Sequence, residues 1–209
     1  MSSGKFIVFE GIDGAGTTTQ ARLLHEALKS LNMGVVMTAQ PTVGSIGRLI
    51  RSILRGTERR ADDNEIGAKA VAALFAADRS EHIESCIEPA LNSGHHVICD
   101  RHYHSSLAYQ SIEVPFDYVA AINAPMKTPD LIIYLEVDVS IGRKRRELRQ
   151  GIPEVFEVDD FQLQLSAAYE RAFASRDQER VHRIDGNRDI SLVQADVLKA
   201  ALETINGTT

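Results

Sequence analysis

Eight consecutive residues, Gly11-Ile12-Asp13-Gly14-Ala15-Gly16-Thr17-Thr18, constrain this chain more than any other stretch. Before them runs Lys5–Glu10 (KFIVFE), short, β-branched and aromatic, which reads as a buried strand. After them, apolar residues at Leu23, Leu24, Ala27, Leu28 and Leu31 make a helical stripe over Thr18–Leu31, with Gly34 as a stop signal. Glycines allow the tight curvature that turns successive N–H groups toward one anion, and the helix start adds partial positive charge. Strand, glycine-rich turn and helix are the context of a phosphate-binding loop spaced G-x-x-x-x-G-K-[ST]. Thr18 takes the hydroxyl position that ligates Mg²⁺. Position 17, where lysine normally reaches the terminal phosphates, is Thr17. Either turnover is slow or another cation takes that place.

The remaining pattern alternates strands with helices. Val35–Thr38, His95–Cys99, Leu131–Val137 and Val181–Ile184 read as further strands. Ile46–Leu54, a bent stretch Asn64–Asn92, Pro115–Asn123, Ser140–Arg149, Phe161–Arg176 and Ser191–Ile205 read as helices, and the polar stretch after Asp100 is assigned no element. Helices long enough for crossovers imply parallel strands. With right-handed connections the simplest result is an α/β fold of three layers, α/β/α, around a five-stranded parallel sheet. Ligands then bind beyond the carboxyl ends of the strands, near Gly11–Thr18, Gln40–Thr42, Asp100–Arg101 and the segment after Val137.

Composition narrows the partners. The 209 residues suit one domain, 1–209, with one core. Lys plus Arg is 23 against 29 Asp plus Glu, a net charge of −6. Such a chain is a poor nucleic-acid binder by bulk charge, so anionic ligands fall to local arginines. No apolar run approaches the ~18 residues of a membrane span. Two cysteines, Cys86 and Cys99, suit reduced thiols in a cytoplasmic protein, and no signal peptide is expected.

A second motif, Val97-Ile98-Cys99-Asp100-Arg101, ends a buried strand in a carboxylate. Asp100 could hold Mg²⁺, directly or through water, opposite the loop, and Arg101 could fork across a phosphate. A third, Arg143-Lys144-Arg145-Arg146-Glu147-Leu148-Arg149, packs five cations into seven positions of an acidic chain. It reads either as a solvated helix face or as a lid over a polyphosphate. On the predicted helix of the bent stretch, Phe75 and Arg79 stand four apart and share a face.

The chain resembles the thymidylate kinase family. The likeness is carried by Phe9-Glu10-Gly11-Ile12-Asp13-Gly14-Ala15-Gly16, Leu74-Phe75-Ala76-Ala77-Asp78-Arg79, Asp100-Arg101-His102 with Ser105-Ser106-Leu107-Ala108-Tyr109-Gln110, and Pro129-Asp130-Leu131-Ile132-Ile133-Tyr134-Leu135. These segments follow the family's order across nearly the whole chain. The resemblance implies ATP-dependent phosphorylation of dTMP to dTDP with Mg²⁺. ATP would lie on Gly11–Thr18 and Arg143, the latter stacked on adenine. Phe75 would stack on thymine, Arg79 would donate to a base carbonyl, and Asp13 would meet the sugar 3′-hydroxyl. Ser105, Tyr109 and Gln110 would line the sugar and base, and Arg101 would bridge donor and acceptor phosphates. A lid, about 143–157, would exclude water, and the protein would be a homodimer packed through helices such as Asn64–Asn92.

This sequence also departs from the family. Some members carry an arginine inside the phosphate loop; Gly14 here matches those that use lid arginines. Arg145, Arg146 or Arg149 is therefore expected to replace the charge missing at Thr17. Ala39-Gln40-Pro41 stands where many relatives carry Arg-Glu-Pro, which leaves Arg48 or Arg51 to hold the acceptor phosphate. His104 and Ser111 stand where an acidic residue and a glycine are common. The rival readings are a kinase of another pyrimidine nucleotide and a nucleotide-binding protein of weak turnover.

Overall fold

A computed structural model describes residues 4–148 and 159–207. Five strands, β1 Phe6–Gly11, β2 Val35–Ala39, β3 His96–Asp100, β4 Leu131–Glu136 and β5 Val181–Asp185, form one sheet in the order β2-β3-β1-β4-β5. Every neighbouring pair is parallel, as expected. All six residues of β1 are buried, and β4 is buried except for its last residue. Central strands covered on both faces read as unbroken apolar runs for this reason.

The helices are α1 Thr17–Ser30, α2 Ser45–Leu54, α3 Ala68–His82, α4 Glu88–Asn92, α5 Tyr103–Tyr109, α6 Phe116–Asn123, α7 Val139–Glu147, α8 Asp159–Ala174 and α9 Ile190–Asn206. Alternate residues of β1 face opposite layers. Ile7 and Phe9 share a core with Leu24 and Leu28 of α1 and with Val197 of α9. Phe6 and Val8 pack on Ile83, Ile87 and Leu91.

Two expectations change in detail. The stretch expected to be helical from Asn64 begins at Ala68, and its middle holds a π-turn, Ile83–Ile87, closed by Glu88 N–H on the Ile83 carbonyl. Pro89 follows at once; it has no N–H to return to the preceding turn, so the ladder is already broken there. The stretch after Asp100 is helical, as α5. Six of its seven residues are buried, so it has no polar face to give a helical period.

Chain order reverses between β1 and β3: the chain leaves β1 toward β2 on one side and leaves β3 toward β4 on the other. Gly11 and Asp100 end these two strands, so the crevice lies where the glycine loop meets Asp100-Arg101.

Candidate active site

The loop between β1 and α1 is backbone-built. Ala15 N–H closes a turn on the Ile12 carbonyl at 3.0 Å. Gly16 precedes α1 in the left-handed region, and no side chain caps the helix. The first turn of α1 carries no acidic residue, so its open N–H groups face a site suited to an anion. Gly14 has φ +89°, and a Cβ there would lie 2.3 Å from the Gly142 carbonyl oxygen of α7. A glycine is required at 14 because α7 rests directly on the loop.

Thr18 and Asp100 meet as their positions suggested. Thr18 Oγ1 donates to Asp100 Oδ2 at 2.5 Å. Asp100 Oδ1 is buried with no hydrogen-bond partner among the described residues. An unpaired carboxylate oxygen beside a threonine hydroxyl suits a hard cation that keeps most of its waters. No group of three or more His, Cys, Asp or Glu suited to a metal occurs among the described residues.

Arg101 joins the loop to a neighbouring cleft. Its φ of +72° is uncommon for a side chain of this size. Four hydrogen bonds hold it: Nη1 donates to Gly11 O (2.9 Å), Ser105 Oγ (3.2 Å) and Tyr169 OH (3.2 Å), and Nη2 to Asp13 Oδ1 (2.7 Å). The guanidinium also lies 5.0 Å from the centre of the Tyr109 ring. The cleft beside it is lined by Asp13, Phe75, Arg79, Arg101, Ser105, Tyr109 and Gln110, which is every acceptor residue expected from the sequence except Arg48 and its alternative Arg51. Arg48 is turned instead to Val43 O and Ser45 Oγ and is exposed. Arg51 binds the carbonyls of Pro41 and Thr42.

The residues of the basic run separate. Arg146 is buried, with Nη1 on the Asp13 carbonyl at 2.7 Å. Arg145 reaches Ala15 O (3.4 Å) and Gly186 O (3.0 Å) and lines a second cavity with Gly14, Ala15, Gly16 and Arg188. Arg143 lies on the exposed side, 2.8 Å from Glu147. Arg149 and positions 149–157 of the expected lid lie outside the described residues.

Sequence reasoning gave no role to several residues that assemble this site. Glu10 is fully buried; its carboxylate accepts from His102 N (2.8 Å), Ser105 Oγ (2.5 Å) and Tyr169 OH (3.0 Å). Burial, with Glu10 beside it, pushes the Tyr169 phenol well above its ordinary range, so it stays a donor. Gln162 of α8 clasps Asp13 through both its backbone N–H (3.0 Å) and its Oδ2 (3.1 Å). Asp78 accepts from Thr42 N (2.7 Å) and Thr42 Oγ1 (2.6 Å). One signal was available: a glutamate ending an otherwise apolar, buried strand must find donors nearby.

Comparison with known proteins agrees with this geometry. The family model of thymidylate kinase matches residues 9–197. A probable thymidylate kinase of Pyrococcus horikoshii is 41% identical over 79% of this chain and 81% of its own length. Thymidylate kinases of Ruegeria pomeroyi and Pelotomaculum thermopropionicum are each 39% identical, over 99% and 97% of this chain and 98% and 95% of their own. With loop, junction arginine and cleft in the family's order on the family's fold, the chain belongs to the thymidylate kinase family.

Proposed function

We propose that this protein transfers the terminal phosphoryl group of ATP to dTMP, giving dTDP and ADP. One observation carries the reading: Arg101 touches both the phosphate loop, at Gly11 O, and the cleft, at Asp13 and Ser105. A guanidinium at that junction can face both phosphoryl groups at once. Phosphoryl transfer leaves little covalent work to the protein, so positioning and charge neutralisation carry it. The reaction is direct and in line, with no protein nucleophile.

The loop amides and the N-terminus of α1 hold the ATP phosphates. The cavity of Gly14–Gly16, Arg145 and Arg188 takes the rest of the nucleotide, which supports Arg145 over Arg143 as the lid cation nearest ATP. Arg145 supplies the charge missing at Thr17, because it lines that cavity, whereas Arg146 is buried against the Asp13 carbonyl. Thr18 and Asp100 hold Mg²⁺, which when bound neutralises charge on the terminal phosphates. In the cleft, Phe75 offers an aromatic face and Arg79 a planar donor to the pyrimidine. Asp13, Tyr109 and Gln110 line the sugar, and Arg48 or Arg51 is left for the acceptor phosphate.

Two further statements belong to this reading. Ala70, Ala73 and Ala77 of α3 and Leu49 of α2 are exposed on adjacent helices, which supports a homodimer packed through that face. The protein acts in the cytoplasm on small-molecule substrates; no described helix is long and apolar enough to cross a membrane. The test is ADP release with ATP, Mg²⁺ and dTMP, compared with dUMP, dCMP and thymidine. Turnover fastest with dTMP is expected. ATP binding without dTMP-dependent ADP, or faster turnover of another acceptor, overturns the assignment.

A further inference from the structure

Arg79 is 1% exposed, and its hydrogen-bond partners in the cleft are all neutral. Nε donates to Gln40 Oε1 at 2.9 Å, Nη1 to Asn123 Oδ1, and Nη2 to Ser106 Oγ at 2.9 Å and His102 O at 3.2 Å. A guanidinium has no acceptor, so Gln40 must turn its carbonyl toward Arg79. The amide of Gln40 then points at His82 Nδ1, 3.0 Å away. An amide nitrogen only donates, so Nδ1 must be the lone-pair nitrogen. The imidazole proton is therefore on Nε2, 2.7 Å from Thr38 Oγ1. The direction of the whole row, Arg79 to Gln40 to His82 to Thr38, is dictated from its charged end.

Protonating His82 breaks this order. Nδ1–H would face the Gln40 amide, donor against donor. If Gln40 turned over to accept that proton, its amide would face Arg79 Nε–H instead. Either way a buried donor loses its acceptor beside the cleft. A glutamate at 40 would remove the conflict, because both of its oxygens accept.

We propose that Gln40 and His82 are positioning residues of the acceptor cleft: neutral His82 holds Gln40, Gln40 aims Arg79, and a proton on His82 disengages Arg79 from the acceptor base. The inference rests on the dTMP reading above and deepens it. Burial is the largest influence on His82 and holds it below the ordinary value of 6.5; Asp78 and Glu81 on the same helix oppose this, and Arg79 adds to it. Cys86 lies one turn on, toward Thr38, and His102 faces the cluster from beyond β3. From β2 and the residue after it, His82 meets only Thr38 and Gln40, neither of which titrates. Because the folded value is depressed, the ordered row is fully present above pH 6.5 and is lost as pH falls through the lower value of His82 itself.

The experiment is the dTMP KM at saturating ATP between about pH 5 and 8 for the wild type, Gln40→Glu and His82→Asn. The acceptor phosphate titrates in the same range, so the readout is the difference between proteins. On the acid side the wild-type KM should climb above both variants by up to about tenfold per pH unit, the limit for one proton. The ATP KM should follow one curve in all three. A ¹⁵N spectrum of the wild-type histidines needs no variant: His82 should show the Nε2–H tautomer at neutral pH. Adding dTMP should lower its titration point further, by reciprocity. Variants that track the wild-type acid limb, or a proton on Nδ1 at neutral pH, overturn the proposal while dTMP turnover stands. Absence of dTMP turnover at every pH overturns the assigned reaction instead.

Discussion

The phosphate loop and the acceptor cleft share Asp13 and Arg101 yet are built in opposite ways. The loop is eight contiguous residues whose useful groups are main-chain N–H, and its shape follows from glycine and a helix start. The cleft is a set of side chains brought from the loop after β1, the residues after β2, α3, the residues after β3 and α5, and several are held by partners far away in sequence. Gln162 reaches Asp13 across 149 residues, and Tyr169 reaches Glu10 across 159. A contiguous device carries its anion-binding groups in its own main chain. An assembled one fails wherever a supporting hydrogen bond fails. Substitutions should therefore sort by region: loop and lid changes into ATP parameters, α3 changes into dTMP parameters, and only the junction into both.

Arg101→Ala gives the largest effect. It removes a guanidinium that touches both regions, and loss of such a transition-state donor lowers kcat by ~10²–10³. Steady-state kinetics with each substrate varied should show both KM values raised as well. A change in one KM only would place Arg101 on one side of the divide. Next comes Arg145→Ala, expected to lower kcat at least about tenfold and toward ~10² if its charge replaces the missing lysine. The sharper measurement is rescue. Thr17→Lys placed in the Arg145→Ala protein should restore most of the rate, since either cation serves the same phosphates. Full activity of Arg145→Ala alone would remove Arg145 from that role.

Asp78→Ala tests the cleft through a residue that does not line it. Thr42 N–H and Oγ1 lose their shared carboxylate, at a cost of about 1–3 kcal/mol. Arg51 still holds the Pro41 and Thr42 carbonyls, so the loop should loosen and not detach. A rise of about 5- to 150-fold in the dTMP KM is expected, with the ATP KM nearly constant. A parallel rise in both would mean that the two regions are one unit.

The same contrast explains what could be read from residues alone. β1, the loop and α1 are adjacent in the chain, so pattern and chemistry coincide there. Thr18 and Asp100 are 82 residues apart, yet each ends or follows a buried strand, and parallel sheets collect such ends at one edge. The basic run was legible as a cluster of cations but not in its rotation. Arg145 faces the loop and Arg143 the exposed side because Gly142 packs on Gly14, a contact no periodicity encodes. Gln40 and Asp78 lay in segments singled out in the sequence, but neither they nor His82 drew a role of their own. Their work consists of aiming other side chains, and it exists only once β2 lies beside α3.

Phe75 offers the finest cut. It lines the cleft one helical turn from Arg79, on the face of α3 that Arg79 and His82 share in part. Phe75→Leu keeps an apolar side chain and removes the π-face, which is worth about 0.5–1.5 kcal/mol beyond buried area. That converts to a rise of about 2- to 10-fold in the dTMP KM, with kcat and the ATP KM unchanged. Were Phe75 only packing, leucine would shift the unfolding midpoint and leave the dTMP KM where it was. The two measurements on one variant thus separate an aromatic platform from a core residue, a distinction that shape alone cannot make because both roles demand an apolar side chain at that position.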